Sequence, residues 1–270
     1  MTSAPTARRS IRRRPPIVFV ALGVLGTLIF VVPLLGLLQK TPWSDLPELL
    51  TSDIVIDALR LSLISSVAAT LIALVLGVPL AWLLARVDFP GRRLVRAVVT
   101  LPMVLPPVVG GAALLFALGR RGFVGGPIYD ATGFVLPFSI WGVIVANTFV
   151  AMPFLVVTVE AAFVNLDQRF EGAAATLGAS RLTVFRRVTL PMIAPSLAGG
   201  LVLTWARALG EFGATATFAG NLQGRTQTLP LAVFVSLESD RGAAIAISLV
   251  LVAISLVVLI GLRDRWWLRR

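Results

Sequence analysis

Apolar residues gather into six long runs, at about 17–38, 58–85, 97–118, 134–159, 193–219 and 243–262, and the short stretches between them carry most of the charge. A helix needs roughly 20 apolar residues to cross a hydrocarbon core about 30 Å thick. Each run meets that length, and the second, fourth and fifth are long enough to tilt or to continue past the membrane surface. The pattern predicts an all-α integral membrane protein with six transmembrane helices. Composition agrees: 57% of the residues are hydrophobic, 14% are charged, and the mean hydropathy is +0.92, above what ordinary soluble domains show.

The net charge of +11 would suggest nucleic acid in a soluble protein. In a membrane protein the side on which each cation falls is more informative. If the N-terminus is cytoplasmic, the inner segments hold Arg8, Arg9, Arg12, Arg13 and Arg14; Arg86, Arg92, Arg93 and Arg96; Arg169, Arg181, Arg186 and Arg187; and Arg263, Arg265, Arg269 and Arg270. The outer loops hold only Lys40, Arg120, Arg121, Arg225 and Arg241. This bias puts both termini in the cytoplasm and reads the charge as a topology signal, with no nucleic-acid partner. The organisation that follows is a basic cytoplasmic tail at 1–16, a six-helix domain at 17–262 with its longest inner loop at 163–192, and a second basic tail at 263–270. "RRSIRRRPP" followed by about 22 apolar residues exceeds the 7–15 of a cleaved signal, so it reads as an uncleaved first span.

Cysteine and histidine are both absent, which removes disulfides, thiol nucleophiles, imidazole bases and the commonest transition-metal ligands. A phosphate-gripping GxxxxGK[ST] loop needs a lysine, and the only lysine, Lys40, follows Gln39 in an outer loop. The chain therefore reads as non-catalytic, with no cofactor of its own. Any uphill transport draws on an ion gradient or on a separate ATP- and Mg-binding subunit. Gradient-driven carriers usually place ionisable groups deep in their spans. Here Glu211 is the only acid away from a span end, with Glu160 at the inner end of span four. A gradient-driven carrier and a membrane scaffold that recruits a soluble partner both stay open.

The inner loop contains "DQRFEGAAATLGASRLTVFRRVTLP", residues 167–191. Asp167 can cap a helix start, and Glu171 sits in the first turns, where the helix dipole favours an anion. Phe170, Ala174 and Leu177 follow at helical spacing and give one apolar face. Gly178 suits a left-handed stop, and Ser180 a second cap. Leu182, Phe185 and Val188 then share a side until Pro191 opens span five. A helix of about ten residues, roughly 15 Å long, is turned by a glycine at the inner surface. Its small residues suit close docking by another protein, and its arginines suit anionic headgroups.

This segment resembles the cytoplasmic loop signature of the membrane subunits of binding-protein-dependent ABC importers: EAA, three residues, Gly, nine residues, a hydrophobic residue, any residue, Leu-Pro. Aligned on Gly178, the EAA positions are Gly172, Ala173 and Ala174, the hydrophobic position is Val188, and the end is Leu190-Pro191. The motif glutamate is replaced by Gly172, with Glu171 immediately before it. The resemblance implies that Glu171, Gly172, Ala173, Ala174, Leu177, Gly178, Ala179 and Ser180 form a coupling helix that sits in a groove of the ATPase subunit.

Span five and the loop after it read "LTWARALGEFGATATFAGNLQGRTQTLPLAVF", residues 203–234. Arg207 and Glu211 stand four apart, on one face of a continuous helix, and read either as a buried pair or as a pathway lining. Span three begins "TLPMVLPPVVGGAALL", where Pro102, Pro106 and Pro107 remove donors and Gly110 and Gly111 allow close helix approach. "ARALGEFGAT" resembles the molybdate and sulfate branch of the importer family, and "AGNLQGRTQTLPLA" is similar to its molybdate members. That resemblance, from about residue 58 to 240, implies a type I ABC importer permease in a bacterial cytoplasmic membrane. Its partners would be a second copy of itself, two ATPase subunits, an extracytoplasmic oxyanion-binding protein and lipid. Its cargo would be molybdate or the related tungstate or sulfate, and its path or gate would involve Pro106, Pro107, Gly110, Gly111, Arg207 and Glu211.

Overall fold

The computed structural model describes residues 16–267, with the backbone alone for residue 259 and residues 261–267. Arg8, Arg9, Arg12, Arg13, Arg14, Arg269 and Arg270, counted above as inner cations, lie outside the described residues. Every regular element among the described residues is a helix. The chain divides into two compact units, up to Trp43 and from Ser44. The first contains α1 (Ile17–Gln39), 23 residues that are apolar on every side, as a helix surrounded by lipid requires.

The second unit begins with α2 (Leu46–Leu50) and the 34-residue α3 (Asp53–Arg86), which is longer than a bilayer core requires. There follow α4 (Arg92–Thr100) with a 3₁₀ turn (Leu101–Met103), α5 (Pro107–Leu118), α6 (Gly125–Thr132) and α7 (Ile140–Asn165). Next come α8 (Arg169–Thr176), α9 (Arg181–Val184), a π turn (Phe185–Thr189) and α10 (Leu190–Leu209). The unit closes with α11 (Gly213–Phe218), α12 (Leu229–Ser239) and α13 (Arg241–Trp267), whose last turns enter the stretch expected as a tail.

Helices α3, α7 and α10 form the centre of this unit. Along α3 the buried positions Ser62, Ser66, Ala69, Ala73, Gly77 and Ala81 recur every three or four residues and are all small. In lipid, where no hydrophobic drive separates helix from solvent, such a row lets backbones approach and gain dispersion contact. Gly200 of α10 plays the same part against α7, since a Cβ there would stand 3.0 Å from Leu155 Cδ1. Larger side chains, Leu84, Leu155, Val156, Val159, Phe163 and Ile193, fill the core beside the small row. A buried polar chain crosses the centre: Asn147 Nδ2 donates to Ser65 Oγ (3.2 Å), Thr215 Oγ1 donates to Asn147 Oδ1 (3.4 Å), and the Leu229 amide donates to Ser62 Oγ (2.7 Å).

Five helical segments are long and apolar enough to cross a membrane, and a sixth crossing exists only if the pair Arg92–Met103 and Pro107–Leu118 counts as one span. That pair is bent by 117°, so the third span, whose prolines at 102, 106 and 107 announce a distortion, is two arms and not one rod. The cause is local: Pro107 offers no N–H and forces the preceding Pro106 into an extended conformation (ψ 128°). The fifth run is corrected. Helix α10 stops at Leu209, Gly210 leaves helical geometry (ψ 9°), and α11 starts afresh at Gly213. At its other end the π turn lies just before Pro191, whose ring would clash with the carbonyl four residues back in a regular α-helix.

Candidate functional site

Residues 167–191 fold as helix, turn, helix. Asp167 Oδ1 accepts from the Arg169 amide (2.9 Å) and opens α8, which runs for eight residues instead of ten. Gly178 stands at φ +82°, with the Ala179 amide donating to Ala174 O (3.1 Å) and the Gly178 amide to Ala175 O (3.0 Å). This double bond closes the last carbonyls of α8 around a left-handed residue. Ser180 Oγ then accepts from the Thr183 amide (3.3 Å) and starts α9. The apolar side chains around the knee do not pack back on the chain: Phe170 is 55% exposed, Leu177 88% and Leu182 65%. Gly172 and Ala173 are exposed with them, while Ala174 and Ala179 are half-buried and Phe185 joins the core.

Glu171 behaves differently from the rest of the knee. Its Oε1 accepts from Thr189 Oγ1 (2.6 Å), and its Oε2 lies 3.3 Å from Arg86 Nη2 at the end of α3. Nearby, Arg96 Nε donates to Glu160 Oε1 (2.9 Å) and Arg96 Nη2 to the Leu84 carbonyl (3.3 Å). The sequence held no sign of these pairings, because the partners stand 85 and 64 residues apart.

The second group of expected residues lies where α5 meets α11. Pro106 precedes α5, Pro107 is its first residue, and Gly110 and Gly111 are buried on it. A Cβ on Gly111 would stand 2.7 Å from Ala214 O, and one on Gly213 would stand 2.9 Å from Pro107 Cβ. The two short helices therefore touch backbone to backbone. Gly110 faces Phe149 of α7 instead, where an added Cβ would stand 3.0 Å from Phe149 Cε1. Arg207 and Glu211 do pair, with Arg207 Nη1 2.5 Å from Glu211 Oε2, but across the end of α10 and not along one continuous helix. Glu211, 1% exposed, also accepts from the Ala214 amide through Oε1 (2.8 Å), so the same carboxylate neutralises Arg207 and caps α11. Arg207 stays partly open, at 28% side-chain exposure.

Further cations border two cavities that share Phe138. One, of about 840 Å³, is lined by Arg120, Arg121, Tyr129 and Asp130, with the Arg120 guanidinium 4.2 Å above the Tyr129 ring. The other, of about 560 Å³, is lined by Asp57, Arg60 and Arg225. Arg60 went unnoticed in the sequence because it falls inside an apolar run. Phe138 holds φ +59° with its ring over Gly220.

The backbone matches solved structures of ABC transporters. A crystal structure of a bacterial ABC transporter involved in import of alginate aligns with TM-score 0.72 and 20% identity over 92% of this chain and 94% of that one. A second, the alginate transporter in complex with a pentasaccharide-bound periplasmic protein, aligns with TM-score 0.70 and 20% identity over 90% and 92%. The fold is thus that of a type I ABC importer permease, a multi-pass component of the inner membrane. Residues 77–264 match the family described as binding-protein-dependent transport system inner membrane component, and the chain belongs to that family. Among its relatives is the molybdenum transport system permease protein ModB of Mycobacterium tuberculosis, 43% identical over 90% of this chain and 91% of the relative. The sulfate transport system permease protein CysT of Salmonella typhimurium is 38% identical over 87% and 86%.

Proposed function

We propose that this chain is the membrane subunit of an ATP-driven importer of molybdate. Two copies would pair around the pathway, two ATPase subunits would bind ATP and Mg on the cytoplasmic side, and an extracytoplasmic protein would deliver the anion. Both termini are cytoplasmic in this reading, which puts the α8–α9 knee on the ATPase side. The observation that carries it is the knee: Phe170, Leu177 and Leu182 are exposed on an ordered helical turn that the chain itself leaves uncovered. Exposed apolar groups on a charged inner loop call for a protein partner.

Chemistry supports a powered machine. A dianion moving into a cell against an inside-negative potential climbs about 2.3 kcal/mol per charge per 100 mV, hence ~4–5 kcal/mol for two charges. A passive pore would favour efflux. The contact of α5 with α11 through Pro107 and Gly111, with Pro106 at the bend before it and Gly110 set against α7, would form the gate, and the Arg207–Glu211 pair would anchor it. Sulfate is the second cargo supported, through the likeness to the sulfate permease.

The test is uptake of labelled molybdate by vesicles holding the reconstituted assembly, with sulfate and tungstate as competitors. Molybdate uptake that needs ATP, the ATPase and the binding protein is expected. Uptake by the chain alone, abolished by an uncoupler, would refute it.

A further inference from the structure

Glu171 stands one residue before the motif glutamate position, which Gly172 occupies, and its carboxylate is already engaged within the chain. It bridges three segments: α8, which carries it; the last turn of α3, through Arg86 (3.3 Å); and the π turn leading into α10, through the Thr189 hydroxyl (2.6 Å). The Arg86 and Glu171 side chains are 10% and 25% exposed, so solvent screens this pair less than a surface one. Two residues back from Arg86, the Leu84 carbonyl lies among the final four of α3, which find no amide within the helix. Arg96 Nη2 fills that place (3.3 Å), while its Nε holds Glu160 of α7 (2.9 Å). The end of α3 is therefore gripped from both sides, by the knee through Arg86 and by α4 through Arg96. Helix α4 is the arm that leads into the 117° bend and then α5, whose Gly111 lies against α11.

We propose that Arg86 and Glu171 form the internal link of the knee. A displacement of α8 passes through this ion pair to the end of α3, and through Arg96 to α4 and the bend. Arg86 is a positioning residue, and Glu171 faces the interior of its own subunit instead of the ATPase groove. The apolar contacts of Phe170 and Leu177 then receive the push, and Glu171 hands it on. This rests on the reading of the chain as an ATP-driven permease.

The experiment uses the whole assembly in vesicles and reads molybdate accumulated per ATP hydrolysed, together with ATPase recovery on purification. Arg86→Gln and Glu171→Gln should both copurify with the ATPase, while the transport-to-hydrolysis ratio falls roughly five-fold, as for residues on a coupling route. The exchange Arg86→Glu with Glu171→Arg should bring the ratio back to within about two-fold of wild type, which two residues acting independently would not do. If Arg86→Gln does not insert, Thr189→Val takes its place: it removes only the hydroxyl bond to Glu171, and its ratio should fall about two-fold. An unchanged ratio in Arg86→Gln, or in Thr189→Val where that variant stands in, overturns the proposal. So does Glu171→Gln losing its ATPase without rescue by the exchange, since that places Glu171 in the partner's groove. Wild-type vesicles without ATP-dependent uptake would instead refute the permease reading, and that control separates the two failures.

Discussion

Replacing Gly111 with alanine adds one methyl at the tightest contact between α5 and α11. The new Cβ would lie 2.7 Å from Ala214 O, 2.9 Å from Ala214 Cα and 2.9 Å from Thr217 Cβ, where ordinary contact begins near 3.4 Å. Two of those three atoms are backbone, so no rotamer change relieves the clash; the helices must separate by several tenths of an ångström. Helix α11 cannot simply retreat, because its other side packs Ala214 and Phe218 against Ala146 and Val150, and Glu211 fixes its first turn. Overpacking of this kind costs about 1–3 kcal/mol, and the upper part of that range is expected here. At about 2–4 °C per kcal/mol, the thermal midpoint of the purified protein in detergent should drop by roughly 4–12 °C. Gly110→Ala meets the edge of the Phe149 ring, which can turn aside, and should lose under about 1 kcal/mol. Gly172→Ala meets nothing within 4 Å and should be neutral or gain up to about 1 kcal/mol through helix propensity. A Gly111→Ala midpoint equal to wild type, or a greater loss in Gly110→Ala, would refute the reasoning.

Breaking the Arg207–Glu211 pair from one side should cost about 3 kcal/mol, with the double replacement less harmful than the sum of the singles; additive losses in midpoint would show independent roles. Glu211→Ala should be worse than Arg207→Ala by about 1 kcal/mol, since it also removes the cap on the Ala214 amide. Gly178→Val, at φ +82° with open space around it, should leave membrane insertion intact and lower ATPase recovery; wild-type recovery would show that the knee tolerates another turn. Asn147→Leu should lower the midpoint by about 1–2 kcal/mol equivalent, because Ser65 and Thr215 both lose a partner in a buried site, and an unchanged midpoint would mean that they find others.

Hydrophobic runs were enough to place the long helices, because a bilayer imposes length and polarity on any segment that crosses it. Local turn chemistry was legible for the same reason: Asp167, Gly178 and Ser180 act on backbone groups within a few residues, so their spacing carries the geometry. The break in the third run was half legible. Pro106 and Pro107 announced a distortion, but an angle of 117° depends on what α5 packs against. The end of the fifth run was missed because Gly210 is permissive, not prohibitive, and the decisive act is the Glu211 carboxylate turning to the Ala214 amide. Contacts such as Asn147 with Ser65, or Arg86 with Glu171, join residues far apart in sequence, and only the packing of α3 beside α7 and the placing of α8 against the end of α3 bring them together.

The π turn at Phe185–Thr189 takes one more residue per revolution than the helices on either side. Each α-helical residue advances the azimuth by about 100°, so the surplus residue resets which flank of α10 meets its neighbours. Deleting a single amino acid between 185 and 189 would therefore do more than shorten the rod. It would swing Gly200 out from Leu155 and send Arg207 to a new compass bearing, so indels there should be far harder to accommodate than point substitutions.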